Sequence, residues 1–113
     1  MIIGAHAIIY SEAADEVRVF LRDVLGFDSV DAGGGWLMFG LPPAELAVHP
    51  TEGDSTHELY LMCDDIDATI KELSAKGVEF QPVTVQRWGK LTSLTLPGGG
   101  RLGLYQPSHA TAI

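Results

Sequence analysis

The sequence has a single cysteine, no long apolar run and few basic residues. Seven residues are Lys or Arg, whereas fifteen are Asp or Glu, which gives a formal net charge of −8. This balance would repel a phosphate backbone, so nucleic acid and anionic membrane surfaces are excluded as expected partners. Cys63 stands alone, so it can form no intramolecular disulfide and no Cys-rich zinc motif. No apolar run approaches the roughly 20 residues that a bilayer span requires.

The amino end and the composition predict a cytosolic, globular protein. Residues 1–6 lack the basic segment and long apolar stretch of a secretory signal. The chain is 46% hydrophobic and 19% charged, which is too apolar for a disordered segment. Its 113 residues suit one compact domain, and we expect residues 1–113 to form it.

The first half of the chain predicts a strand, a helix and three further strands. The helix is indicated by apolar residues at the spacing of one helical face, from Val17 to Leu25, followed by Gly26 as its stop. Alternating or apolar segments before and after it predict the strands. The predicted elements are strands at 2–11, 27–32, 36–39 and 45–49 and a helix near 12–25, which together form a βαβββ module over about residues 1–50.

The second half repeats this order. After a polar connection at 51–56, an apolar strand precedes a helix that Asp64 or Asp65 can cap and that Gly77 ends. The predicted elements are strands at 58–63, 78–86, 91–96 and 102–106 and a helix near 66–76, forming a second module over about residues 56–107. Two βαβββ modules in tandem therefore predict an α+β fold.

Several segments resemble vicinal-oxygen-chelate domains, the superfamily of glyoxalases, bleomycin-resistance proteins and extradiol dioxygenases. They are RDVLGF at 22–27 after the first helix, His6 on the strand before it, DDID at 64–67 and LPGGGRL at 96–102. The resemblance implies two modules whose mixed sheet curves into a cup around a small-molecule site, with the helices outside. It also implies a homodimer, sometimes with exchanged modules. It leaves the reaction open, because the superfamily contains enzymes and drug-sequestering proteins.

The resemblance places a metal site inside the cup. His6 lies at the position of the family's first ligand, and strand alternation turns Glu58 inward and His57 away. Glu45 is a third candidate, while Gly103 replaces the glutamate that metal-binding members usually carry. These residues would form an incomplete site, in which His6, Glu45 and Glu58 hold one divalent ion of Fe, Mn, Ni or Zn.

Two classes of function remain open. The first is a metal-dependent lyase, isomerase or oxygenase, or an enzyme in which Glu45 or Glu58 acts as a general base if it is buried. The second is a protein without metal that binds or sequesters an aromatic or hydrophobic small molecule, with Gly103 making room for it. The candidate ligand-binding aromatics are Tyr10, Trp36, Tyr60, Trp88 and Tyr105.

Overall fold

The computed structural model describes residues 6–113, and the predicted strand at 2–11 lies partly outside this range. These residues form two α-helices and six β-strands. In chain order they are α1 (Ala14–Asp23), β1 (Ser29–Asp31), β2 (Leu37–Phe39), β3 (Tyr60–Met62), α2 (Ile66–Ser74), β4 (Thr84–Gln86), β5 (Gly89–Thr95) and β6 (Arg101–Pro107).

Four of the strands form one open mixed sheet in the order β3, β6, β5, β4. β3 runs parallel to β6, and the β6–β5 and β5–β4 pairs are antiparallel. Together with α2, these strands have the βαβββ order predicted for the second module, and the α+β class is confirmed. β1 and β2 pair separately as an antiparallel hairpin.

The first half of the chain contains fewer strands than the sequence predicts. Residues 6–11 and 45–49 are in no strand, and Ile8, Leu46 and Val48 are exposed there. The physical reason is that a strand needs a hydrogen-bonded neighbour, and no described part of the chain pairs with these segments. In the second half, the predicted strand at 78–86 is interrupted because Pro82 has no backbone N–H, leaving an isolated bridge at Phe80 and the short β4.

Both helices end about two residues before the predicted limits, at Asp23 and Ser74, and a glycine follows each end as predicted. Gly26 has φ +74° and Gly77 has φ +86°, the left-handed conformation that favours glycine at a helix end. α1 begins two residues later than expected, because the Ser11 hydroxyl accepts a hydrogen bond from the Ala13 amide, 3.1 Å away, in the preceding turn. At the start of α2, the Asp65 carboxylate accepts from the Ala68 amide at 3.1 Å.

The core lies between one face of the four-stranded sheet and α1. Leu94, Leu96 and Leu102 from β5, β6 and the turn between them are buried against Val17 and Phe20 of α1. The helix of the first half thus covers the sheet of the second half. Alternation along the strands leaves the other face of that sheet open. No helix in the described part of the chain is long and apolar enough to cross a membrane.

Candidate functional site

The open face of the four-stranded sheet carries a cavity of about 750 Å³. Its lining comes from Ile9, from residues 57–60, from Gln81, Pro82 and Thr84, and from β5 and β6. Strand alternation explains the position, because the leucines of β5 and β6 that face α1 alternate with Ser93 and Gly103, which line the cavity. The cavity is therefore a consequence of the same pleat that builds the core.

Tyr60 lies directly across Gly103 in this cavity. The two residues are partners in the parallel β3–β6 pairing. A Cβ atom at position 103 would lie 2.6 Å from Cε1 and 2.8 Å from Cγ of the Tyr60 ring, well inside normal carbon contact. The space that Gly103 leaves is thus filled by the Tyr60 ring, which corrects the expectation that it would be free for a ligand. With 40% of its surface exposed, Tyr60 presents an aromatic ring to the cavity.

At the edge of this site, the ring of a second tyrosine packs over a glycine in the same way. A Cβ atom at Gly89 would collide with the ring of Tyr105, whose hydroxyl donates a hydrogen bond of 3.1 Å to the Trp88 carbonyl oxygen. The Tyr105 ring stands edge-on to Tyr60 at 6.4 Å and to Trp88 at 5.4 Å between ring centroids. Tyr105 and Trp88 therefore support the aromatic floor from outside the cavity lining.

The titration behaviour of these tyrosines follows from their surroundings. Burial raises the pKa of the Tyr60 phenol, and the Glu58 carboxylate beside it raises that pKa further. Burial also raises the pKa of Tyr105, with a smaller contribution from the charge of Glu45. Both phenols are consequently neutral at physiological pH and can donate hydrogen bonds. Burial likewise raises the pKa of the Cys63 thiol, which donates to the Tyr105 carbonyl oxygen at 3.7 Å.

The structure does not bring His6, Glu45 and Glu58 together. His6 is exposed, and Glu58 lines the cavity next to Tyr60. The Glu45 carboxylate accepts a 2.8 Å hydrogen bond from the Ala112 amide and lies 3.8 Å from His109 Nε2. Within residues 6–113, no group of three His, Cys, Asp or Glu side chains is placed to hold a metal ion. The Glu45 carboxylate instead contacts the carboxyl-terminal residues.

His57 and Glu58 both line the cavity, although strand alternation predicted that His57 would point away. The reason is that β3 begins only at Tyr60, so the preceding residues are not held in a pleat. For Tyr60 and Leu61 the predicted alternation holds, since Tyr60 faces the cavity and Leu61 packs against the core, whereas Leu59 contacts both.

Two predicted ligand-binding aromatics lie away from the cavity. Tyr10 is 89% exposed, and the neighbouring Ile9 lines the cavity instead, because residues 6–10 do not form the predicted strand. Trp36 lies on the β1–β2 hairpin, where the Arg18 guanidinium of α1 stands 4.8 Å above its ring centroid. This cation–π contact attaches the hairpin to α1.

Sequence reasoning overlooked Arg101, which lines the cavity on β6. The signal was present, because Arg101 is two residues before Gly103 and a strand places both on one face. The predicted strand begins at Leu102, whereas β6 begins one residue earlier, at Arg101. Gln81, Thr84 and Ser93 supply further polar lining.

Comparison with known proteins identifies the fold. A scan against protein-family models and a search of curated proteins find no match. Among solved structures, the antibiotic binding protein TnmS3 from Streptomyces sp. CB03234 is 25% identical, with a TM-score of 0.68 over 96% of this chain and 99% of its own. Lactoylglutathione lyase from Agrobacterium tumefaciens is 14% identical, with a TM-score of 0.66 over 92% of each chain.

A third neighbour is a member of the glyoxalase/bleomycin resistance protein/dioxygenase superfamily from Sphaerobacter thermophilus. It is 23% identical, with a TM-score of 0.62 over 93% of this chain and 98% of its own. Several of the structural neighbours are glyoxalase or bleomycin resistance proteins, the superfamily that the sequence motifs resemble.

Proposed function

We propose that this protein binds a flat, largely apolar small molecule in the cavity on the open sheet face. The observation that carries the proposal is the Tyr60 ring, held across Gly103 and left 40% exposed to the cavity. A planar ligand stacked on that ring would gain aromatic contact as well as burial of apolar surface. The cavity volume of about 750 Å³ lies in the range that suits drug-sized ligands.

The similarity to TnmS3 supports a binding role and a ligand class. TnmS3 is an antibiotic binding protein, and the similarity extends over nearly the whole of both chains. The cavity of this chain combines an aromatic floor with polar side chains at its walls, as the site of a polyfunctional antibiotic would require. An antibiotic or a related planar metabolite is therefore the ligand class that we propose.

An enzymatic role is the second candidate, and Glu58 is the residue that favours it. Its carboxylate lines the cavity beside Tyr60, where it could take a proton from a bound substrate. Glu58 is, however, exposed, whereas a general base gains most from burial. The described residues do not fit a divalent metal, because Glu45 is bound by the carboxyl-terminal segment, so we derive no step through a metal.

We also propose that the protein is a homodimer. The accessible surface of the chain is 8605 Å², whereas a compact monomer of this mass would expose about 6,000 Å². Its radius of gyration is 15.0 Å, against about 13 Å for a compact domain of 113 residues. The excess surface, about 2,600 Å², is comparable with what one partner buries in a large obligate interface.

The exposed apolar segments in the first half are the expected contact regions of this dimer. Leu46 and Val48 are 90% and 89% exposed, and they lie in a segment without a strand partner. Light scattering at micromolar concentration should give twice the chain mass. Leu46→Asp should shift the protein towards monomer, because a charge would be buried at the contact. A wild-type protein that remains monomeric at these concentrations contradicts the proposal.

The cytosolic location stays a prediction.

Binding can be tested with a panel of planar three-ring and four-ring aromatic compounds, including antibiotics, by isothermal titration calorimetry. Tyr60→Leu should weaken binding about five- to tenfold, the equivalent of one aromatic contact of about 1 to 1.5 kcal/mol. Tyr60→Phe is the matched control, since it keeps the ring and should retain the affinity. Equal affinities for Tyr60→Leu and wild type would remove Tyr60 as the binding platform.

The same experiment separates binding from catalysis and from metal dependence. Mass spectrometry of the ligand after incubation should recover it unchanged if the protein is a binder. Affinity should be the same in the presence of EDTA, and metal analysis of protein purified without a metal-affinity step should find no stoichiometric metal. A product that Glu58→Gln abolishes would instead establish the enzymatic role.

A further inference from the structure

Arg101 is the basic residue of the cavity. It lies at the start of β6, two residues before Gly103, and among the described residues it is the only Lys or Arg in the cavity lining. The rest of the chain is strongly acidic, with fifteen Asp and Glu against seven Lys and Arg. An anionic ligand would therefore be repelled by most of the surface, and a local cation is required wherever such a ligand binds.

The guanidinium of Arg101 is available for a ligand. Arg18 pairs with Asp15 at 2.6 Å, and Arg22 pairs with Asp23 at 2.8 Å. Within residues 6–113, Arg101 has no carboxylate within 4.0 Å, although the site lies in an acidic protein. A guanidinium has a planar fork of N–H donors that matches a carboxylate with two parallel hydrogen bonds.

We propose that Arg101 selects ligands that carry a carboxylate or a similar planar oxyanion at one end of the aromatic system. This inference rests on the proposed binding function and adds the charge of the ligand to it. Residues two apart on one strand face are about 6.6 to 6.8 Å apart. The Arg101 Cα is thus about 7 Å from the Gly103 Cα, so the Arg101 side chain begins at one end of the Tyr60–Gly103 platform.

Glu58 limits how much negative charge the ligand carries. Glu58 and Arg101 both line the cavity, each two residues before one member of the Tyr60–Gly103 pair. The Glu58 carboxylate attracts the Arg101 guanidinium and repels a bound anion. The expected ligand therefore has one negative charge at this end of the cavity, and removing the Glu58 charge should tighten its binding.

A pair of probes that differ only in charge tests the inference. Anthracene-2-carboxylate and its neutral carboxamide have the same three-ring plane, and their fluorescence reports binding. Wild type should bind the carboxylate about five- to tenfold more tightly than the carboxamide, which corresponds to a charge-assisted pair in a partly exposed site. Arg101→Gln should abolish this preference, because it should weaken binding of the carboxylate and leave the affinity for the carboxamide unchanged. Arg101→Lys should keep part of the preference.

Arg87→Gln is the matched control, because Arg87 is exposed in the turn between β4 and β5 and lies outside the cavity lining. It removes the same charge and should keep the preference. Glu58→Gln should raise the affinity for the carboxylate about two- to threefold, and added salt should weaken carboxylate binding in wild type but not in Arg101→Gln. Melting temperatures of all variants verify folding.

The outcomes separate this inference from the function on which it rests. If wild type binds both probes equally and Arg101→Gln changes neither affinity, the role of Arg101 is overturned while the aromatic platform stands. If Arg87→Gln and Arg101→Gln lose the preference equally, the effect comes from overall charge, and the local site is likewise overturned. If wild type binds neither probe nor any compound of the aromatic panel, the proposed function falls, and this inference with it.

Discussion

Replacing Gly103 with alanine tests the aromatic platform at the level of single atoms. The added Cβ would lie 2.6 Å from Cε1 and 2.8 Å from Cγ of Tyr60, whereas carbon atoms pack at about 3.5 to 4.0 Å. The Tyr60 ring must therefore move by about 1 Å, either to a less favourable rotamer or away from its position over residue 103. Overpacking of this kind costs about 1 to 3 kcal/mol, and the displaced ring should no longer support a ligand.

Urea unfolding followed by circular dichroism measures this cost, and a double-mutant cycle identifies its origin. Gly103→Ala should lose about 1 to 3 kcal/mol in wild type but less than about 0.5 kcal/mol in a Tyr60→Ala background, because the clash is then absent. Gly100→Ala is the control, since nothing lies within 3.9 Å of its added Cβ and its φ is not left-handed. Equal costs in both backgrounds would refute the reasoning that Tyr60 occupies the space above Gly103.

Two further predictions follow from contacts beside the site. Glu58→Gln should lower the pKa of Tyr60, measured by absorbance at alkaline pH, but leave it above about 10, because burial is the larger cause. Because folding raises the pKa of Tyr60, its contribution to stability is present below the ordinary tyrosine pKa and is lost as the pH rises through the pKa of the folded state. Urea unfolding at increasing pH should show this loss. A free energy of unfolding that does not depend on pH would contradict it. Gln106→Ala should lower the free energy of unfolding by about 1 kcal/mol. The reason is that the Gln106 side-chain oxygen accepts a 2.8 Å hydrogen bond from the Ile66 amide at the start of α2. An unchanged Tm would refute this prediction.

The second half of the chain is predictable from sequence because its elements pair with one another. Alternation along β3 correctly assigns Leu61 to the core and Tyr60 to the open face, and Gly77 ends α2 as expected. Alternation cannot show which residue occupies the space beside Gly103. That depends on the register between β3 and β6, which are far apart in sequence, so the Tyr60 platform emerges only in three dimensions.

The first half is less predictable because its strands depend on neighbours outside their own module. Apolar alternation at residues 45–49 satisfies a strand pattern, yet Leu46 and Val48 remain exposed without a pairing partner. The position of Glu45 shows the same limit. It was predicted to face the cup, but its carboxylate binds the Ala112 amide, 67 positions along the chain, and no local pattern in the sequence indicates that contact.

Tyr60 and Tyr105, whose rings both pack over a glycine, have different roles. Tyr105 is fixed at both ends, because its ring lies over Gly89 and its hydroxyl donates to the Trp88 carbonyl oxygen. Among residues 6–113 the Tyr60 hydroxyl has no such backbone acceptor, and its ring lies between Gly103 and the cavity. Tyr105 therefore stabilises the edge of the sheet, while Tyr60 supplies the ring that faces the cavity. In the proposed site a ligand would thus contact Tyr60 directly, whereas Tyr105 would act only through its edge-on contact with the Tyr60 ring.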